Sequence, residues 1–198
     1  MSLCVLDLLA SSILGRPAAT AGLRSGNRTD LDQFADTPAQ ATLLASYRLS
    51  LIIEEIIVRL YSEKAASTET ADFLLAKLNR WSEDLPDSLR IPSTNENPEV
   101  ARGEILGNMH VACSYHFAVI LVTRPFLVST LSVQLAQLHQ SSSTLRTGDV
   151  LEQDPAHSRL EAACIDSAVY MLQTCLEVDQ SRLLLRNMAI LKYDTTLS

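Results

Sequence analysis

Residues 116–131 read HFAVILVTRPFLVSTL. An apolar run stops at Arg124-Pro125 and resumes at once, and the reading of that break decides the fold. Proline lacks the N–H that a helical turn needs and pushes the residue before it out of helical backbone. The pair therefore reads as a corner between a helix over residues 98–123 and a second over 126–140. Arg124 would bond the terminal carbonyls of the first and oppose the negative end of its dipole. Pro125, with no N–H to lose, would open the second. The competing reading is a buried arginine that clamps a ligand.

Outward from this corner the chain keeps helical periodicity. Three capping residues stand before prolines, at Thr37-Pro38, Asn97-Pro98 and Asp154-Pro155, the arrangement that starts a helix. Gln40, three after Thr37, completes a capping box, and apolar positions at Leu44, Leu51, Ile52, Ile56, Leu60 and Tyr61 predict one helix over 38–64. Leu74, Leu78, Trp81 and Leu85 draw a narrow stripe on a helix over 70–84, which Pro86 ends. Leu127, Leu131, Leu135 and Leu138 recur at helical spacing after the corner. Leu160, Cys164, Met171 and Cys175 do the same over 155–177, and RLLLRNMAILKY, from Arg182, begins a further helix. Neither strand-like alternation nor a hairpin dipeptide is present. The predicted fold is all-α, an irregular multi-helix bundle of about six to seven helices in one unit, residues 1–198, with exposed loops near 18–36, 86–97 and 141–154.

Composition narrows the function classes. The 198 residues are 47% hydrophobic and 20% charged, with 6 glycines and 7 prolines, which excludes wholesale disorder. Lysine and arginine total 16 against 23 acidic residues, a formal charge of -7 with no concentrated basic stretch, so these residues offer no face for a phosphate backbone. The longest purely apolar run, residues 117–122, is far short of the roughly 20 needed to span a bilayer, so no membrane partner is expected. MSLCVLDLLASSILGRP lacks the basic start and the cleavage site of a secretory signal, which leads to the expectation of an intracellular chain. Cys4, Cys113, Cys164 and Cys175 are widely spaced and read as buried thiols.

No catalytic, cofactor-binding or metal-binding residue emerges, and the chain does not read as an enzyme. A nucleophile elbow, a phosphate-binding glycine loop and zinc or calcium spacings are missing. His110, Cys113 and His116 are good ligands, but His110 and His116 lie about 120° apart at about 100° per residue. The trio reads as packing. Glu55 and Arg59 read as a solvated i,i+4 pair beside Glu54, and Trp81 as a packing anchor whose N–H finds one partner.

Three pieces in order, VLDLLASSILGRP, LLAKLNRWSEDLPDSL and LGNMHVACSYHFAVILVTRPFL, resemble the fungal-specific transcription factor domain, the middle homology region of zinc binuclear cluster regulators. The landmarks that carry the resemblance are Asp7 with Gly15-Arg16-Pro17, then Leu78, Trp81, Leu85 and Pro86, then His110, Tyr115 and Arg124-Pro125-Phe126. The resemblance implies the C-terminal part of an effector- or partner-sensing regulatory domain, a fragment truncated at its N-terminus, located in the nucleus. Its partners would be a small-molecule effector or a protein coregulator. DNA would be reached only through a missing domain, and zinc would belong to the family's six-cysteine cluster, which these residues do not contain. The alternative is a stand-alone helical interaction module or a dominant-negative dimer partner, in an oligomeric state that the residues leave open.

Overall fold

The first helix begins where the capping box places it. In the computed structural model, which describes residues 37–62, 67–89, 98–140 and 154–180 together with Asp7 and Ala10, Thr37 Oγ1 accepts from Gln40 N at 3.3 Å. The Gln40 side chain accepts from Thr37 N at 3.0 Å in return. Helix α1 (Pro38–Ile56) follows and passes into a π-helical stretch, Ile57–Ser62. Helix α2 (Thr68–Glu83) starts two residues before the predicted bound, because Ser67 caps it by accepting from Thr70 N at 3.1 Å. A short 3-10 turn, Asp87–Leu89, comes after Pro86. Helix α3 (Pro98–Gln140) and helix α4 (Pro155–Gln180) complete the described residues, which contain no strand. Asp154 caps α4 through its carboxylate, which accepts from Ala156 N at 3.0 Å. Residues 1–6, 15–36, 141–153 and 182–193, on which further helices and loops were expected, lie outside the description, as does Asn97.

The fold is all-α, and it corrects the expected corner. Helix α3 runs unbroken for 43 residues with Pro125 inside it. A proline there removes the N–H that the carbonyl four residues earlier, Leu121, would accept, and such a loss costs about 3 kcal/mol in an unsupported helix. Here the Tyr61 hydroxyl donates to the Leu121 carbonyl at 2.9 Å. The vacancy left by the proline is filled from another helix, so the chain has no need to turn. Arg124 does not cap a terminus either. It is exposed in mid-helix, with its guanidinium carbon 6.0 Å from the centroid of the Tyr61 ring, at the outer limit of cation–π range.

The π-helical stretch corrects a second expectation, that α1 continues as regular helix beyond Ile56. Bonding from i to i+5 widens the turn and recurs where a helix must re-aim a side chain, and here the widened turn carries Tyr61. Leu60 beside it is buried in the core.

One apolar cluster joins all four helices. It contains Leu49, Ile53 and Ile56 of α1, Leu74, Leu78 and Trp81 of α2, Ala118, Val122 and Phe126 of α3, and Leu160 of α4. The stripe predicted for α2 is the buried one. In α1, by contrast, Leu44 and Leu51 are only half-buried while Ala41, Ala45 and Leu49 face inward. Helices α1 and α3 meet closely at Gly107, where a Cβ would stand 3.0 Å from Thr42 Oγ1. By length and composition alone, Arg102–His139 would suffice to cross a membrane, contrary to the expectation from the six-residue run. In this fold Val111, Ala118, Val119, Leu121, Val122 and Phe126 are spent on the core. Beyond Leu127 the apolar residues of α3 are exposed, Leu131, Leu135 and Leu138 among them.

Tyr61→Phe removes a donor and leaves a carbonyl beside Pro125 without its partner, a loss of about 1–3 kcal/mol. Pro125→Ala restores the helical N–H to Leu121. In urea unfolding, Tyr61→Phe is expected to destabilise the wild type by this amount and the Pro125→Ala background by less than half of it. Equal losses in the two backgrounds would disprove the compensation.

Candidate functional site

The α2 stripe that buries Leu74 and Leu78 also places Trp81 at the seam with α1. Between α1 and the C-terminal half of α2 lies a groove of about 450 Å³, within the range of small-molecule sites. Ala41, Leu44, Ala45 and Ile52 of α1 give it an apolar wall, and Leu85 and Pro86 close one end. Arg48, Lys77 and Arg80 bring three cations to the lining, with Asp84 as its acid. A second cavity of about 750 Å³ adjoins it and shares Arg48, Ile52, Lys77 and Trp81. Glu54, Glu55 and Arg59 also line the second cavity, so the excess of cations, in a chain of formal charge -7, belongs to the first.

Two partners hold the groove's edge. Glu55 receives Arg59 at 2.9 Å, the pair expected from the sequence, and also Lys77 from α2. The carboxylate therefore clips α1 to α2, in addition to bridging one turn of its own helix. Arg159 of α4 ties the far side of α2 through Asp72 at 2.6 Å. Exposed pairs of this kind contribute at most about 1 kcal/mol each, so they position helices more than they stabilise them.

Trp81 departs from expectation in one respect. Its side chain is buried, as an anchor should be, but Nε1 has no hydrogen-bond partner among the described residues. A buried donor left unpaired costs about 1–3 kcal/mol, and it belongs to a residue in the common wall of both cavities.

From Trp81 a column of rings crosses the molecule. Trp81 stacks on Tyr115 of α3 with centroids 6.1 Å apart. Tyr115 meets His116 edge-on at 5.2 Å, and His116 lies 4.1 Å from Tyr170 of α4. Polar contacts fix the middle of the column: the Tyr115 hydroxyl donates to Asn79 Oδ1 at 2.8 Å, and His116 Nδ1 bonds Ser167 Oγ at 3.2 Å. Burial lowers the His116 pKa below its ordinary 6.5 and raises that of Tyr115. The column thus links the groove to α4 through uncharged rings near neutral pH.

The sequence landmarks divide between two places. Trp81, Leu85 and Pro86 come together in the groove lining. Arg124 lies beside the Tyr61 ring, Pro125 follows it inside α3, and Phe126 is buried with its ring edge-on to His157 of α4 at 5.2 Å. The Phe126 carbonyl contacts His157 Nε2 at 3.2 Å, so this landmark docks the start of α4. Asp7 is helical and half-buried, and Gly15, Arg16 and Pro17 lie outside the described residues. Sequence reasoning missed Arg48, Lys77 and Arg80. Lys77 and Arg80 flank Trp81 at one turn and one residue, a spacing that could have flagged a cationic rim. Among the described residues no group of three or more histidine, cysteine or acidic side chains is placed to hold a metal ion. Of the trio His110, Cys113 and His116, the last turns to Ser167 on α4.

In comparisons with known proteins, no family model, curated protein or solved structure matches this chain.

Because His116 titrates below 6.5 when folded and near 6.5 when unfolded, the unfolded chain binds more protons as pH falls through that value. Its contribution to stability is therefore present above 6.5 and is lost on acidification. His110 shifts in the same direction for the same reason. The urea midpoint should fall as pH drops below 6.5, and His116→Gln should flatten part of that slope. A midpoint that rises on acidification through this range would contradict the assignment.

Proposed function

We propose that this chain is the effector-sensing part of a fungal zinc-cluster type transcription regulator, and that the groove between α1 and α2 receives a small amphipathic anion. The observation that carries the reading is the groove's chemistry: an apolar wall lined also by Arg48 and Arg80, beside Lys77, which Glu55 holds. A carboxylate on an aliphatic or aromatic body answers each of these, burying its body against Ala41, Leu44 and Ile52 and meeting the guanidinium groups in charge-assisted bonds. The regulator assignment is supported by the ordered landmarks, three of which, Trp81, Leu85 and Pro86, fall in this groove. In this reading the complete bundle has six to seven helices, works in the nucleus, and reaches DNA through a zinc-cluster segment outside these residues. Ligand binding would bias how α2 packs on α3 and α4 through the ring column.

A second reading has its own support. Val128, Leu131, Leu135 and Leu138 of α3, and Ile165, Val169, Leu172 and Leu176 of α4, are exposed at spacings of three and four, the pattern of a helix that pairs with another. These stripes favour a helical interaction module, with a protein coregulator as partner.

Trp81 is the single tryptophan, so intrinsic fluorescence reads the groove directly. Titration with decanoate or phenylpropionate should change the emission saturably, and Arg80→Glu should weaken binding by about tenfold or more. Absence of a saturable change with either acid would refute the ligand class. Fused to a foreign DNA-binding domain, the chain should raise or lower a reporter. A fusion that leaves the reporter unchanged, and that captures a helical partner through the stripes, would favour the second reading.

A further inference from the structure

Where α3 passes the start of α4, donor atoms from both helices collect around a single ring nitrogen. His157 Nε2 lies 3.1 Å from Ser129 Oγ, 3.2 Å from the Phe126 carbonyl and 3.6 Å from Glu161 Oε1. Edge-on contact with the Phe126 ring holds the imidazole in place, and the Thr130 hydroxyl donates to the same Glu161 oxygen. The Ser129 proton is already given to the Phe126 carbonyl at 2.8 Å. Three oxygens are left to share whatever proton Nε2 carries, and one N–H cannot satisfy three acceptors. The arrangement is not a hydrolytic triad: Ser129 and Glu161 both approach Nε2, whereas a general base needs its carboxylate on the other ring nitrogen.

We propose that these atoms form a metal site, in which a divalent transition ion of the zinc class bridges α3 and α4. The ion takes the place of the Nε2 proton, which passes to Nδ1 of the neutral ring. His157 Nε2 and Glu161 Oε1 are its principal ligands, the Phe126 carbonyl is the third, and Ser129 Oγ completes the shell. Tetrahedral zinc, with ligand bonds of about 2.0–2.2 Å, sets its ligands about 3.3–3.6 Å apart. The separations of 3.1, 3.2 and 3.6 Å from Nε2 meet that requirement to within a few tenths of an ångström.

The kind of ion follows from the donors. An imidazole nitrogen among oxygens suits zinc and its neighbours in the first transition row, whereas magnesium and calcium take oxygen alone. His157 and Glu161 stand four apart on α4 and so share one face of the helix. Their side chains are 28% and 15% exposed, which shelters the ion while leaving it a way in. The Thr130 hydroxyl supplies the outer hydrogen bond that orients a ligating carboxylate. Ligand spacing within one segment could not reveal this site, because its donors come from two helices and two of them are a main-chain carbonyl and a hydroxyl. None is a thiolate, so it is a different site from the six-cysteine cluster of the resembled family.

The test uses the full chain, stripped with EDTA, and zinc chloride in competition with a colorimetric zinc indicator. Zinc should bind saturably, and the thermal midpoint should rise with its concentration. His157→Gln and Glu161→Gln should each weaken binding by about tenfold or more, with circular dichroism confirming the helical fold of each variant. Glu161→Gln keeps the shape of the side chain and an oxygen for Thr130, so it decides the matter should His157→Gln fail to fold. Excess magnesium chloride should leave the zinc in place. Failure to bind zinc, binding unchanged in Glu161→Gln, or displacement by magnesium would overturn the proposal. None of the ligands lines the groove, so the outcome is independent of whether the groove takes an anion.

Discussion

The Tyr61 hydroxyl on the Leu121 carbonyl is the contact on which the arrangement of the helices depends. A proline in the middle of a long helix creates one orphaned carbonyl, and in an apolar interior that carbonyl must find a donor. It finds one 60 positions away in sequence. The same bond keeps α3 continuous and holds the π-helical end of α1 against α3, with the Arg124 guanidinium near the same ring. Burial raises the Tyr61 pKa, only partly offset by Arg124, so the phenol stays protonated and remains a donor.

With α1 and α3 joined there, α2 is left to close the core from the side. Leu74 and Leu78 fill the interior, and Trp81, at the last turn, arrives where α1 is lined with alanines and a half-buried leucine. Small residues opposite a large one leave space, and the groove is that space. Its cations come from the solvent side of both helices, whose long side chains lay their stems along apolar surface and keep their charge at the rim.

What could be read from the sequence was what is decided within a few residues. Thr37 with Gln40, the α2 stripe and the Glu55–Arg59 pair are local, and each stands where its spacing predicted. The Arg124-Pro125 break was misread because local rules treat the lost N–H as decisive, whereas the answer lay on another helix. For the same reason the ring column was hidden: it requires the register of α3 on α4, which no spacing within either helix contains. The cationic rim is intermediate. Lys77 and Arg80 were adjacent to a recognised landmark, but Arg48 joins them only when α1 packs on α2.

The close approach at Gly107 gives the α1–α3 pair an asymmetry of a mechanical kind. Near Tyr61 the two helices are fastened by a directional bond. Near Thr42 they touch through a residue with no side chain to interlock. Any side chain at position 107 would press on Thr42 and so on the start of α1, the end that carries Ala41, Leu44 and Ala45 into the groove.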